Sequence, residues 1–417
     1  MNNRSKTLLL VAACLAGFLA NQALAENWPR FRGPNGAGQS DAATIPTHWT
    51  NEEENWRIHL PGIGHSSPIV WDDKVIVTTA DPSSGEVTVL CRRTRDGGKV
   101  WTHELASKTY RMHQRNSFAS STPATDGRHV YVATANPGEY KVTALRLADG
   151  RPAWETDLGP FESMHGFGTS PIVYDNKVIL ANDQLGASFL IALDPDDGGT
   201  RWKSPRDVER AAYSVPCEYR PPGQPPQLIF SSSAHGLTGV NPADGKQLWT
   251  LRVFDQRTVS SPIVAEGVVI GTCGSGGGGN YVVAVRPGSA DGGRQPQAAY
   301  TIREAAPYVP TPVAYGSLVF LWSDKGIVTC IEASSGEVHW RQRVGGNYSG
   351  SPIRVGKHLY CIAEDGQVVV LAASKTFREV ARTPLGQPSR ATPAVANGRM
   401  YLRTESALIC VGRRDTR

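Results

Sequence analysis

Residues 241–250 read NPADGKQLWT: an Asp-Gly-Lys turn, then a tryptophan three residues on. The same phrase returns as DGGKVWT ending at Thr102, DGRPAWE at Glu155, DGGTRWK at Lys203 and SGEVHWR at Arg341, in a chain with only ten tryptophans. A turn that recurs with the same downstream residue marks one structural unit copied several times. A second marker counts the copies. Ser67-Pro68, Thr122-Pro123, Ser170-Pro171, Val215-Pro216, Ser261-Pro262, Thr311-Pro312, Ser351-Pro352 and Thr392-Pro393 are eight Ser/Thr-Pro steps, Val215 replacing the hydroxyl once, at spacings of 55, 48, 45, 46, 50, 40 and 41 residues.

After each proline come two short runs rich in β-branched residues around an Asp, Asn or Gly, as in PIVWDDKVIVTT and PIVYDNKVILAN. Such runs are too short for helices and read as hairpins. A third run leads into the Asp-Gly turn, whose glycine supplies the positive φ of a tight hairpin, and the tryptophan opens a fourth. Four strands in 40 to 55 residues is the arithmetic of a propeller blade. The fold expected is all-β: an eight-bladed β-propeller of four-stranded antiparallel blades. Trp56, Trp101, Trp154, Trp202, Trp249 and Trp340 are assigned to structural docking across the seams between blades. Tyr300 and Val380 take that place in two degenerate copies.

The ends of the chain fix the closure. The last copy, from Pro393, stops at Arg417 without a turn or fourth strand, while Trp56-Arg57-Ile58-His59-Leu60 is a spare fourth strand ahead of the first proline. Pairing the two closes the ring and removes exposed sheet edges.

Residues 1–25 read as a signal peptide: Arg4 and Lys6, an apolar run over 8–20, and Ala23-Leu24-Ala25 as an A-x-A cleavage site. A lipobox reading of Val11-Ala12-Ala13-Cys14, with lipid on Cys14, is the alternative. The domain plan is therefore 1–25 signal peptide, 26–55 N-terminal extension and 56–417 propeller, with a periplasmic or secreted location. No later stretch has the ~18 to 20 apolar residues of a membrane helix. The chain's 43 basic side chains, less those two, stand against 38 acidic ones, too slight an excess to imply nucleic acid. Cys91, Cys217, Cys273, Cys330, Cys361 and Cys410 follow the signal, and Cys91 and Cys330 fall ten residues before a docking tryptophan, where other copies have Ala144, Ala192 or Gly239. They read as buried free thiols in a slot for small residues.

The pattern A-x-D-x-x-x-G-K-x-x-W, present as Ala192, Asp194, Gly198 and Trp202 and in part as Gly245, Lys246 and Trp249, resembles the tryptophan-docking motif of the PQQ-like β-propeller superfamily. WPRFRGPNGAG over 28–38 is similar to the opening of exported bacterial proteins of that group. The resemblance implies either of two functions: that of the quinoprotein alcohol dehydrogenases, or that of BamB, the non-enzymatic lipoprotein that scaffolds outer-membrane protein assembly. For the enzymes it implies PQQ against calcium with Glu, Asn and Asp ligands and a disulfide between adjacent cysteines; no adjacent Cys-Cys pair or matching ligand set is found here. Glu52-Glu53-Glu54 and Asp194-Pro195-Asp196-Asp197 read as solvated loops, since hard cations need several converging oxygens. GSGGGG over 274–279 lacks a following Lys-Ser/Thr or helix start and reads as a loop rather than a phosphate cradle.

The function expected is that of a non-enzymatic exported binding or scaffold protein with no cofactor, monomeric, acting on an envelope protein or peptide. The alternative is a PQQ-dependent quinoprotein oxidoreductase, the one case that would need PQQ with calcium. In a propeller the residues just before each Ser/Thr-Pro step converge near the axis. That places His65, Arg115, His165, Phe167, Tyr213, Arg257, Tyr308, Asn347, Tyr348 and Arg390 on the face expected to meet a ligand or partner. The competing reading is that they plug the channel and bond one another. No residue is assigned a catalytic or metal-binding role.

Overall fold

The computed structural model describes residues 26–208 and 210–414; the signal peptide expected over 1–25 and the alternative lipid site at Cys14 lie outside them. The chain forms eight antiparallel sheets in ring order, and Ile172–Val173, Val178–Asn182, Ser188–Leu193 and Thr200–Arg206 are typical of one blade from the axis outward. The eighth blade holds Ala394–Ala396, Arg399–Arg403 and Ala407–Gly412, and its outer strand is Trp56–His59. Trp56 lies opposite Cys410 and His59 opposite Ala407, so the spare N-terminal strand closes the ring as expected.

The repeated turn and tryptophan are two halves of one contact across each seam. Trp202 of the third blade packs among Val215, Leu228, Phe230 and Val240 of the fourth. Its indole N–H donates to Pro242 O at 3.1 Å. Gly245, at φ 73°, lies flat on the ring, where a Cβ would fall 2.5 Å from the indole. No L side chain suits that conformation or that gap. Trp56, Trp101, Trp154 and Trp340 likewise donate to Thr94, Leu147, Pro195 and Ser374 carbonyls. The Tyr300 hydroxyl reaches Ala333 O in the same way. Trp249 differs, because its N–H goes to the Gln227 side chain of its own blade and the Gln227 amide passes the link on to Gly288 O.

The small-residue slot also has a cause. Opposite the docking tryptophans in the neighbouring strand stand Cys91, Ala144, Ala192, Gly239, Cys330 and Cys410, where a larger side chain would compete with the indole. All six described cysteines are buried, and Cys91, Cys217, Cys273, Cys330 and Cys361 are free thiols. Burial pushes the Cys91, Cys217 and Cys330 thiols up to about 12, which keeps them from acting as thiolates.

The Ser/Thr-Pro steps form a belt of hydrogen bonds around the axis. The backbone N–H of Ser67 donates to Thr122 Oγ1, Thr122 to Ser170, Ser261 to Thr311, Thr311 to Ser351, Ser351 to Thr392, and Thr392 back to Ser67, at 2.9–3.1 Å. Val215 donates to Ser261 in the same way, but as an acceptor it has no hydroxyl to offer Ser170. Thr392→Val would strand the buried Ser351 amide and is expected to cost ~1–3 kcal/mol in urea unfolding, whereas Val215→Thr completes the belt and should add ~0.5–1.5 kcal/mol. Equal stability of both variants would show that the belt is incidental.

Candidate functional site

The channel is closed on one side by the N-terminal segment. Trp28 exchanges backbone bonds with Val70 of the first blade, the Thr125 amide of the second donates to Pro29 O, and Asn35 brackets Glu218 of the fourth. Gln39–Ser40 then adds a fifth, parallel strand beside Ile353–Val355 of the seventh. Arg32, fully buried, uses all five of its donors: Nε on Gly36 O, Nη1 on Thr311 and Pro352 carbonyls, Nη2 on Ala37 and Pro312 carbonyls. Arg30 reaches Pro216 O at 2.6 Å. Burial brings Arg32 down to about 9, which leaves it charged at neutral pH. The segment read from sequence as an extension of the propeller is thus a floor wedged beneath the belt. Arg32→Ala, which leaves five buried carbonyls without their donor, is expected to lower unfolding free energy by ~3 kcal/mol or more; a variant that melts like the parent would mean the floor is not part of the cooperative unit.

Above the floor opens a cavity of about 730 Å³, with Phe31 at its base and the belt residues Ser67, Thr122, Ser170, Val215, Thr311, Ser351 and Thr392 in its wall. Of the ten residues expected on this face, His65, Arg115, His165, Tyr213, Arg257, Tyr308 and Arg390 line the cavity. Phe167 does not: it is buried edge-on against Tyr140 and Phe161, inside the core between blades. Tyr348 is fully buried against Trp322, and the exposed Asn347 offers its carbonyl to the Glu364 amide, so neither reaches the cavity. At Phe167 and Tyr348 the large apolar ring is captured by the adjacent blade core, where burial outweighs exposure at the rim.

Sequence reasoning missed a second set. In a four-stranded meander the loop between the second and third strands lies on the same face as the connection between blades. Lys325, Asp324 and residues 275–278 come from such loops and line the cavity, as do His113, Gln114 and Asn116 from a longer connection. The strand alternation would have found them had these hairpin loops been assigned to the same face.

The wall is charged and asymmetric. Arg115 and Arg390 both approach Glu364, at 3.9 and 3.7 Å, and Arg390 also meets Glu405 at 3.3 Å. Ser349 holds Glu364 at 2.6 Å. Across the mouth, Arg257 Nη1 lies 3.3 Å from His165 Nε2, and the His165 ring stacks on His113 at 5.5 Å. Burial, then Arg257 and His113, hold His165 below its ordinary value, so it is neutral and accepts from Arg257. Asp324, the carboxylate that lines the cavity, has both oxygens occupied by the Tyr308 and Val309 amides at 2.7 and 3.1 Å. Its burial raises its pKa. Among the described residues no group of three or more His, Cys, Asp and Glu is placed to hold a metal ion.

His65 is brought from 6.5 to about 3 by burial, then by Arg403 and Arg390. Its folded value lies below the unfolded one, so its contribution to stability is complete above the unfolded value and is lost as pH falls toward the folded one. The melting temperature of the protein should therefore fall more between about pH 7 and pH 4 than that of His65→Gln; parallel profiles would assign the acid loss to other groups.

This fold and cavity can now be compared with known proteins. A family profile described as outer membrane protein assembly factor BamB matches residues 83–291 and 278–376, well over half of the chain. The chain belongs to this BamB family of PQQ-like β-propellers. BamB of Yersinia pestis is 20% identical over 303 residues, 72% of this chain, and the match spans 63% of that relative's length. The crystal structure of BamB from Moraxella catarrhalis superposes with a TM-score of 0.61 at 16% identity, covering 87% of this chain and 98% of that one. The quinohemoprotein alcohol dehydrogenase of Comamonas testosteroni gives 0.63 at 13% identity, covering 94% and 82%. At these identities the structural likeness establishes the propeller, which BamB shares with oxidoreductases, and function has to be argued from the site.

Proposed function

We propose that this protein is a non-enzymatic binding protein of the cell envelope, whose channel mouth receives an acidic segment of a protein partner. The observation that carries this reading is the charge of a blind cavity: Arg115, Arg257, Arg390 and Lys325 line it against Asp324, whose oxygens are already taken by backbone amides. Guanidinium groups pair with carboxylates in a planar fork and favour them over other partners. The BamB family match and the name of its Yersinia pestis relative support a role beside outer-membrane assembly. Among the described residues no helix is long and apolar enough to cross a membrane, a statement that leaves strand-built spans aside.

A quinone oxidoreductase is the second reading, favoured by the likeness to the quinohemoprotein fold. The donor set does not fit it. Calcium takes six to eight oxygens, carboxylates prominent among them, whereas Glu364 here is spent on Ser349, Arg115 and Arg390.

Fluorescence anisotropy with a labelled acidic peptide and its basic counterpart, at rising salt, tests the proposal. The acidic peptide should bind at low salt and weaken as salt screens the cations. Replacing Arg115, Arg257 and Arg390 together with Gln should abolish binding while the melting temperature stays within a few degrees. Equal binding of both peptides, or binding that survives the triple substitution, would refute it; micromolar calorimetric binding of PQQ with calcium would bring the oxidoreductase forward.

A further inference from the structure

The three rim arginines are not equivalent. Arg115 and Arg390 are partly neutralised by Glu364 and Glu405, but among the described residues Arg257 forms no ion pair. Its Nη1 contact is the neutral His165 ring, and its Nε is buried with no hydrogen-bond partner. Beside it runs the glycine-rich loop, tied to the same residue by the Gly274 amide on Arg257 O at 3.0 Å.

Glycine in this loop is not explained by packing. A Cβ at Gly276 would meet nothing within 4 Å, one at Gly277 only the Ser275 hydroxyl at 3.7 Å, and neither residue has a left-handed φ. The fold would accept side chains at both positions. The Gly277 amide turns back on Ser275 Oγ at 3.3 Å and the Gly278 amide on Ser275 O at 3.1 Å, so among the described residues it is the Gly276 amide that is left without an acceptor at the cavity wall, next to the uncompensated guanidinium. Residues 274–279 were read from sequence as a loop rather than a phosphate cradle; the fold sets that loop at the cavity beside Arg257.

The floor decides the rest. With Phe31 at the base and Arg32 locked to five carbonyls beneath, an extended chain cannot thread the channel and has to enter by an end. A volume near 730 Å³ suits a few residues rather than a folded domain. An amino terminus is cationic and is repelled by the rim. A carboxyl terminus carries a planar anion that matches a guanidinium with a free backbone amide beside it, the pairing by which chain ends are captured elsewhere.

We infer that the mouth takes the free carboxyl terminus of a peptide chain, its α-carboxylate seated between Arg257 and the backbone amide of Gly276. This rests on the acidic-segment reading above and narrows it from any carboxylate to the terminal one.

Two acidic octapeptides of one sequence, labelled at the amino end, separate the sources of the carboxylate: one ends in a free carboxyl, the other in an amide. Amidation should weaken binding about tenfold or more, as loss of a charge-assisted fork does. Arg257→Gln should weaken the free acid much more than the amide, so that the difference between the two peptides is lost. Gly276→Ala together with Gly277→Ala, where the fold leaves room, should weaken only the free acid and guards against a folding defect in the arginine variant. Equal binding of acid and amide would overturn the chain-end assignment while leaving the acidic-segment reading intact. Failure of both peptides to bind would overturn both.

Discussion

The hydrogen bond from an inner-strand amide to the hydroxyl of the next blade sets the geometry around the axis. It repeats at 2.9–3.1 Å at seven of the eight seams and is missing where Val215 has no hydroxyl to offer Ser170. The copies themselves vary from 40 to 55 residues. That contrast is informative. An insertion in any blade is absorbed in hairpins and connections, while the distance between neighbouring inner strands is held by one short polar contact. Proline directly after the hydroxyl residue fits the same logic, since it begins the strand where no ladder donor is needed. The chemistry of the mouth is thereby uncoupled from the architecture that carries it.

Arginine is used here in two physically distinct ways. Arg32 spends every donor on peptide carbonyls, so its charge is dispersed among dipoles and acts as a structural rivet. Arg257 lies in a more open setting at the cavity wall, where its side chain meets the His165 ring and no carboxylate among the described residues. A buried cation without a counter-ion is tolerable only when its hydrogen bonds are complete. A cation with unspent donors at a cavity wall is instead a standing invitation to an anion.

What the sequence made legible was whatever repeats. Trp202 with Gly245, the Ser/Thr-Pro steps and the spare strand at Trp56 recur or pair by arithmetic, and each recurrence reports a local rule that tertiary context does not override. The one-off features stayed hidden. Nothing in WPRFRG signals that Arg32 will meet Thr311 and Pro352, because those partners lie hundreds of residues away and are backbone atoms, which carry no sequence signature. Phe167 and Tyr348 were placed at the rim by their position before the proline, yet their rings are drawn into the core. Position in the repeat fixes where a backbone goes; side-chain size then decides which way an apolar ring turns. Lys325 and the glycine-rich loop escaped because only one of the two loop sets on that face was considered.

The pairing of Trp56 with Cys410 has a consequence for the order of assembly. A chain made from its amino end holds both the floor and the closing strand long before their partners exist. Contacts of such sequence separation are slow to form, because loop-closure entropy has to be met before they return any energy. Arg32 finds its distant acceptors only at Thr311, Pro312 and Pro352, so the floor is seated only once the sixth and seventh blades are present. A chain cut short before those blades has neither a closed wall nor a seated floor.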